Sequence, residues 1–329
     1  MSEILLKVDN LKKHFPIHGG FFHQHVGNVY AVDGINFEVE KGETIGIVGE
    51  SGCGKSTLGK TLLMLHKPTD GRVLFEGVNL GLLSKKELRL KRKDIQIIFQ
   101  DPYESLDTRM TVGTILSEPY QIHGIGTPKE RLKWAEELLE KVGLPPSSID
   151  RFPHEFSGGQ RQRIGIARAI ALKPKLILCD EPVSALDVSV QSQILNLLIE
   201  LQKELELTYL FIAHDLAVVK HISDRIAVMY LGKIVEFTDA DTLYQKALHP
   251  YTQALIKSIP QPDPKLRAEL LALEGEVPSP IFPPSGCHFH TRCPYATQLC
   301  KSKVPPLAPA PGTKGDKHLV SCHYAGEVG

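Results

Sequence analysis

The chain has 329 residues, 42% hydrophobic and 23% charged, the proportions of a globular protein with one large domain or two. Lys plus Arg and Asp plus Glu each number 38, so no global charge draws it to nucleic acid. No apolar run approaches the ~18 residues that a membrane span needs, and the opening Met1-Ser2-Glu3-Ile4-Leu5-Leu6-Lys7 lacks a signal-peptide pattern. The expected compartment is therefore the cytosol, where thiols stay reduced or bind metal.

In chain order, residues 4–10 and 29–39 alternate apolar and polar positions, with Val29, Ala31, Ile35, Phe37 and Val39 on one face. This predicts antiparallel strands with one wet side. Residues 16–28, rich in His and Gly, read as a mobile loop. Residues 44–48 read as a buried strand entering a glycine-rich loop, residues 56–65 as the helix beyond, and residues 71–80 as an edge hairpin. From residue 110 to 165 the pattern turns helical, and residues 129–142 place Leu132, Ala135, Leu138, Leu139 and Val142 on one face. A further helix over 160–172 is stopped by Lys173-Pro174. Residues 176–180, 209–213 and 226–231 are strand candidates, with a helix over 191–205 between the first two.

Alternating strands and helices with right-handed crossovers predict an α/β fold around a parallel sheet covered on both sides. Beyond residue 259 prolines cluster over 260–284 and 305–311. Short runs between prolines build no core unaided, so this tail is expected to be a small appendage without regular structure, held by something other than hydrophobic burial. The expected domains are 1–259, with a helical part over about 101–165, and a proline- and cysteine-rich extension over 260–329.

Residues Gly49, Glu50, Ser51, Gly52, Cys53, Gly54, Lys55, Ser56 and Thr57 match G-x-x-x-x-G-K-S/T between a strand and a helix. Glycines there let consecutive N–H groups cradle phosphate oxygens, and the helix adds its positive end. Lys55 is placed to reach the terminal phosphates of a nucleotide and Ser56 to ligate Mg²⁺; Cys53 reads as a small filler. Asp180 ends an apolar strand, so its carboxylate emerges at the carboxyl edge of the sheet, where it can hold Mg²⁺ through water. Glu181 follows directly and can polarise a water for in-line attack on the γ-phosphate. Alone, an Asp-Glu pair is usually a solvated turn; its place after the apolar strand argues otherwise. Ser157-Gly158-Gly159-Gln160 heads a helix and forms a second anion site.

These features, with Gln100, Ser184-Ala185-Leu186-Asp187 and His214 in the same order, resemble ABC-type ATPases. The resemblance implies a P-loop ABC core with an antiparallel β subdomain and a helical subdomain, working as a head-to-tail dimer around two ATP molecules. Ser157, Gly158, Gly159, Gln160 and Asp187 would then face the γ-phosphate held by the partner subunit. Gln100 corresponds to the residue that senses Mg²⁺ and the attacking water, and His214 to the switch histidine on the γ-phosphate. Phe15 resembles the aromatic that stacks on adenine, with Tyr30 its rival; stacking needs only a π-face.

The resemblance is closer to the ATPase subunits of bacterial dipeptide and oligopeptide importers. It is carried by Ala31-Val32-Asp33-Gly34, the glycine loop, Gln100-Asp101-Pro102-Tyr103 with Ser105-Leu106, and Ser184-Ala185-Leu186-Asp187-Val188-Ser189-Val190-Gln191. Beyond the core it is carried by His249-Pro250-Tyr251-Thr252 and by Gly286-Cys287 with Arg292-Cys293-Pro294. It implies ATP-driven import of peptides at the cytoplasmic face of the membrane, two permease subunits, an extracellular peptide-binding protein, and a second related ATPase or a second copy of this chain. Nickel importers share this branch and remain the alternative. A soluble iron–sulfur ABC ATPase acting on nucleic acid or ribosomes is a further one, although such proteins usually carry two cassettes or a coiled-coil insertion.

The tail spacing is Cys287-x5-Cys293-x6-Cys300-x21-Cys322, with no Cys-x-x-Cys. Four thiols in a core-poor segment point to metal, and both zinc and a 4Fe–4S cluster accept four thiolates. The resemblance favours the cluster, because related importer subunits carry one on this extension. His288, His290 and His323 adjoin the cysteines and could substitute as ligands, though hydrogen bonding to the ligands or a place on the surface is the favoured reading. Cys179, in the strand before Asp180, reads as inert. No tail residue belongs to the phosphate-site motifs, so nucleotide binding is expected to be independent of the tail.

Overall fold

The structure, a computed structural model, describes residues 3–19, 24–259, 275–312 and 317–328. It comprises two compact units. One combines Glu40–Glu43 with Leu82–Ile212; the other combines Ile4–Val39, Thr44–Gly81 and the chain from Ala213 onward.

The second-named unit opens with β1 (Ile4–Gly19), β2 (Gln24–Glu40), β3 (Thr44–Val48), α1 (Lys55–Leu62), β4 (Asp70–Phe75) and β5 (Val78–Asn79). Four of these strands form a sheet in the order β2-β1-β4-β5. β1 and β4 run antiparallel with Leu6 opposite Phe75 and Val8 opposite Val73. All four side chains are buried, so the predicted one-sided strands form as the alternation dictates.

The loop expected over residues 16–28 is corrected. β1 continues to Gly19 and β2 begins at Gln24, while residues 20–23 lie outside the described residues. The His18 and His25 rings meet edge-on at 6.2 Å, a contact that extends the ribbon with polar side chains. Its residues are mostly partly or fully exposed, so no apolar alternation marked it in the sequence.

The other unit contains α2 (Lys85–Lys91), β6 (Ile95–Ile98), α3 (Pro102–Ser105), α4 (Val112–Ile122), α5 (Pro128–Lys141), α6 (Gly158–Ile170), β7 (Leu176–Asp180), α7 (Val188–Leu205) and β8 (Thr208–Ile212). β6, β7 and β8 are parallel, with Ile97 opposite Leu178 and Leu178 opposite Leu210. Every residue of β7 and β8 is buried, as the near-continuous apolar runs of parallel strands require. β6 went unread as a strand because it is only four residues long. Thr127 and Glu130 close a capping box at the start of α5, and Pro128 occupies its first turn. That helix buries Ala135, Leu138 and Leu139, but Leu132, expected on the same face, is 48% exposed.

The second-named unit is completed by α8 (Leu216–Ile222), β9 (Arg225–Tyr230), β10 (Lys233–Asp239), α9 (Ala240–Gln245), α10 (Pro250–Lys257), α11 (Gln298–Ser302), β11 (Ala308–Pro309) and β12 (His318–Val320). β3 pairs in parallel with β9, and β9 turns back antiparallel into β10. β12 adds antiparallel to β10, and β11 to β12.

The tail is therefore not without regular structure. Leu248, Ala310, Val320 and Ala325 form a small buried cluster on which Cys322 packs, so hydrophobic burial does help to hold it. The sequence concealed this because the cluster draws single residues from widely separated points. Buried Glu236 in β10 also pairs with His318 in β12 at 2.7 Å and accepts from the N–H groups of Leu248 and His249. Glu236→Ala leaves those three donors unpaired and is expected to cost about 3 kcal/mol or more. An unchanged melting temperature would show that the network contributes nothing. No helix among the described residues is long and apolar enough to cross a membrane.

Candidate nucleotide site and cysteine cavity

The phosphate-type loop lies between β3 and α1. Gly54 has φ 107°, and a Cβ there would sit 2.0 Å from the Ala31 carbonyl oxygen; at Gly49 it would sit 2.2 Å from that of Met229. Only glycine lets the loop pack this closely on neighbouring backbone. Lys55 is 5% exposed and curls onto its own loop, donating to the carbonyls of Gly49 at 2.7 Å and Glu50 at 3.0 Å. Ser51 and Gly52 are exposed at the tip, and Ser56 and Thr57 are half-buried. Cys53 is buried with its sulfur 3.8 Å from Lys55 Nζ, and burial raises its thiol pKa.

Phe15 is partly exposed on β1, edge-on to His66 at 5.4 Å, with Lys13 Nζ 4.7 Å from its ring centre. Tyr30 on β2 instead packs against His14 at 4.7 Å. His214 is exposed just before α8, whose first turn is capped by Asp215 accepting from the Ala217 N–H.

Glu50 is held at two points that the sequence did not reveal. Its N–H donates to the Tyr251 hydroxyl at 2.9 Å. Its carboxylate receives a bidentate pair from Arg292, at 2.7 Å from Nη1 and 3.1 Å from Nη2. Arg292 is 5% exposed, and that pairing raises its guanidinium pKa further. Tyr251 packs with Tyr230 and Phe289 in a buried aromatic cluster. A tail residue thus contacts the phosphate-type loop, although no tail residue belongs to the motif itself. The only sequence signal was that Tyr251 and Arg292 lie in segments that carried the resemblance.

In the other unit, β7 delivers buried Asp180 and then Glu181, whose φ of 47° is left-handed despite its side chain. Pro182 follows and disfavours the right-handed helical region for its predecessor. The Glu181 N–H donates to the Ile212 carbonyl at 2.9 Å, and Gln100 Nε2 donates to its carboxylate at 3.1 Å. The backbone beyond is pinned by Ser184 Oγ on the Glu181 carbonyl and by the Gln191 amide on those of Val183 and Leu186. These bonds hold the backbone at residue 181 in its left-handed conformation.

Ser157 is exposed at the head of α6, where its hydroxyl accepts from the Gln160 N–H and the Gln160 side chain accepts from the Ser157 N–H. A Cβ on Gly159 would strike Val190 at 2.5 Å, so the glycine lets α6 approach α7. Asp187 is exposed at the N-cap position of α7 without capping it through its side chain.

Cys287, Cys293, Cys300 and Cys322 are among the residues that line one small cavity, with His249, Phe289 and Tyr324. Burial pushes the Cys287 thiol up to about 11, and raises those of Cys293 and Cys322. His290 and His323 are engaged with the carbonyls of Cys287 and Lys303, while the buried Nδ1 of His288 has no hydrogen-bond partner. Among the described residues no group of three His, Cys, Asp or Glu side chains is arranged to hold a metal ion. Cys179 is fully buried, and burial strongly raises its thiol pKa, so it is inert.

Residues 32–184 match the family described as ABC transporter, and residues 235–300 match the oligopeptide/dipeptide transporter C-terminal region. The chain is 55% identical over 325 residues to the oligopeptide transport ATP-binding protein AppF of Bacillus subtilis, covering 98% of both chains. Its structure resembles a dimeric ATP-binding cassette solved in a post-hydrolysis state with ADP and Pi, with TM-score 0.63, 30% identity, and coverage of 71% of this chain and 98% of that one. It also resembles cbiO1 from Clostridium perfringens, part of the ABC transporter complex cbiONQ, with TM-score 0.63, 30% identity and coverage of 74% and 91%.

Proposed function

Because the chain belongs to the ABC transporter ATP-binding subunits of the oligopeptide/dipeptide family, we propose that its ATP hydrolysis drives import of di- and oligopeptides through a membrane permease pair. The observation that carries the catalytic part is Glu181, held left-handed after the buried Asp180 and tied to Gln100. The near full-length likeness to AppF supports the peptide substrate.

In this reading Lys55 leaves the carbonyls of Gly49 and Glu50 to meet the terminal phosphates, and the N–H groups of residues 49–57 cradle them. Ser56 and Gln100 would hold Mg²⁺ together with Asp180, and the ion would neutralise phosphate charge. Glu181 orients the attacking water, His214 contacts the γ-phosphate, and Phe15 stacks on adenine. Ser157, Gly158, Gly159, Gln160 and Asp187 face the nucleotide of a second ATPase subunit, either a copy of this chain or a relative. The protein would sit peripherally on the cytoplasmic face, served by a peptide-binding protein outside.

Cys287, Cys293, Cys300 and Cys322 would hold a 4Fe–4S cluster, which four cysteines around one cavity suit chemically. Loading would have to draw them together from their present arrangement. A single zinc is the rival.

Reconstituted with its permeases and binding protein, ATPase activity is expected to rise several-fold with oligopeptide and not with Ni²⁺. Stimulation by Ni²⁺ alone would move the reading to the nickel importers.

A further inference from the structure

We infer that Arg292 is a positioning residue for the phosphate loop, and that through it the cysteine-bearing segment governs nucleotide affinity. Glu50 places a carboxylate inside a loop whose ligand is a polyanion. A bare negative charge there repels phosphate, and the repulsion is strong where water is scarce. Arg292 cancels it with a two-point contact at 2.7 and 3.1 Å, the geometry in which guanidinium and carboxylate pair most firmly. The same residue's main chain is fixed by Tyr251, and its carbonyl is one of the two on which Lys55 rests. Glu50 is thus the point where the tail, the aromatic cluster and the phosphate-binding lysine meet.

Arg292 has little freedom of its own. It is 5% exposed, and its guanidinium carbon lies 6.0 Å from the Tyr230 ring centre. Its buried Nε has no hydrogen-bond partner, and its two terminal nitrogens are held by Glu50. Its neighbour in the chain is Cys293, and its N–H donates to the carbonyl of Phe289, two residues beyond Cys287. A change in how the thiols are held therefore moves Arg292 and uncovers the Glu50 charge. By linkage, nucleotide in the loop must in turn favour the ordered tail.

The test is binding of Mg²⁺ with a non-hydrolysable ATP analogue to the full chain, at low and high salt, with metal content measured for each variant. Arg292→Ala is expected to weaken binding about tenfold at low salt, less at high salt, and to raise KM for ATP with little change in kcat. Arg292→Lys should keep most of the affinity. Adding Glu50→Gln to Arg292→Ala should restore most of the loss, because the uncovered charge is gone. Where Arg292→Ala fails to fold or loses metal, Arg292→Gln, which keeps a hydrogen bond to Glu50 but not the charge, decides the matter: it too should weaken binding at low salt. A double variant as weak as Arg292→Ala, or an Arg292→Ala or Arg292→Gln that binds like the parent, would overturn the inference. Lys55→Ala separates the two levels: if it too binds normally, the reading of the phosphate loop itself fails.

Discussion

Glu181→Gln is expected to abolish ATP turnover while leaving ATP binding intact. Glutamine keeps the side chain's length and can still accept the hydrogen bond that Gln100 donates at 3.1 Å. The left-handed backbone at residue 181 is held by the Ile212 carbonyl and by Ser184, neither of which the substitution touches. What disappears is the negative charge that orients and polarises the attacking water. Losing it should cost about a thousandfold or more in the hydrolytic step. Single-turnover hydrolysis and ATP affinity, measured on the same preparation, separate the outcomes. Slow hydrolysis with ATP retained, and dimers trapped around it, is the expected result. A rate near the parent's would sink the assignment, and a simultaneous loss of binding would show that Glu181 holds structure instead.

On the proposal that Cys287, Cys293, Cys300 and Cys322 hold a metal cluster, replacing any one of them by Ser is expected to lower the metal content and expose the tail to protease. Four cysteines share one cavity, so losing one leaves the remaining three an incomplete set. Metal bound to thiolates can contribute on the order of 10 kcal/mol to the folding of a small segment. The nearby apolar cluster of Leu248, Ala310, Val320 and Ala325 is small by comparison. Proteolysis should begin around residues 287–302, because β12 remains anchored to β10 and to Glu236. Protein purified without air should be brown, with broad visible absorption bleached by dithionite. Colourless protein with one zinc per chain would replace the cluster by zinc, and a metal-free but protease-resistant tail would remove both. Because Arg292 grips Glu50, these variants are also expected to bind ATP more weakly, contrary to what the motifs alone implied.

The local geometry of residues 49–54, of the strand ending at Asp180 and of the helix headed by Ser157 was legible in the sequence because each is a short run fixed by its own residues. A tight backbone approach demands glycine at Gly49 and Gly54, an apolar run must be a buried strand at β7, and a capping box starts α6. The outer part of the β1–β2 ribbon, within residues 16–28, was hidden because its polar residues carry no apolar alternation. The core of the tail was hidden because it is assembled from single residues between prolines. Most of all, nothing local announces that Arg292 meets Glu50 across 242 residues of chain. Charge pairing at a distance depends on which strands lie side by side, and hydrophobic packing of the whole unit decides that. The sequence by itself determined the glycine loop and its lysine; only the tertiary structure decided that Arg292 of the cysteine-bearing tail meets that loop at Glu50.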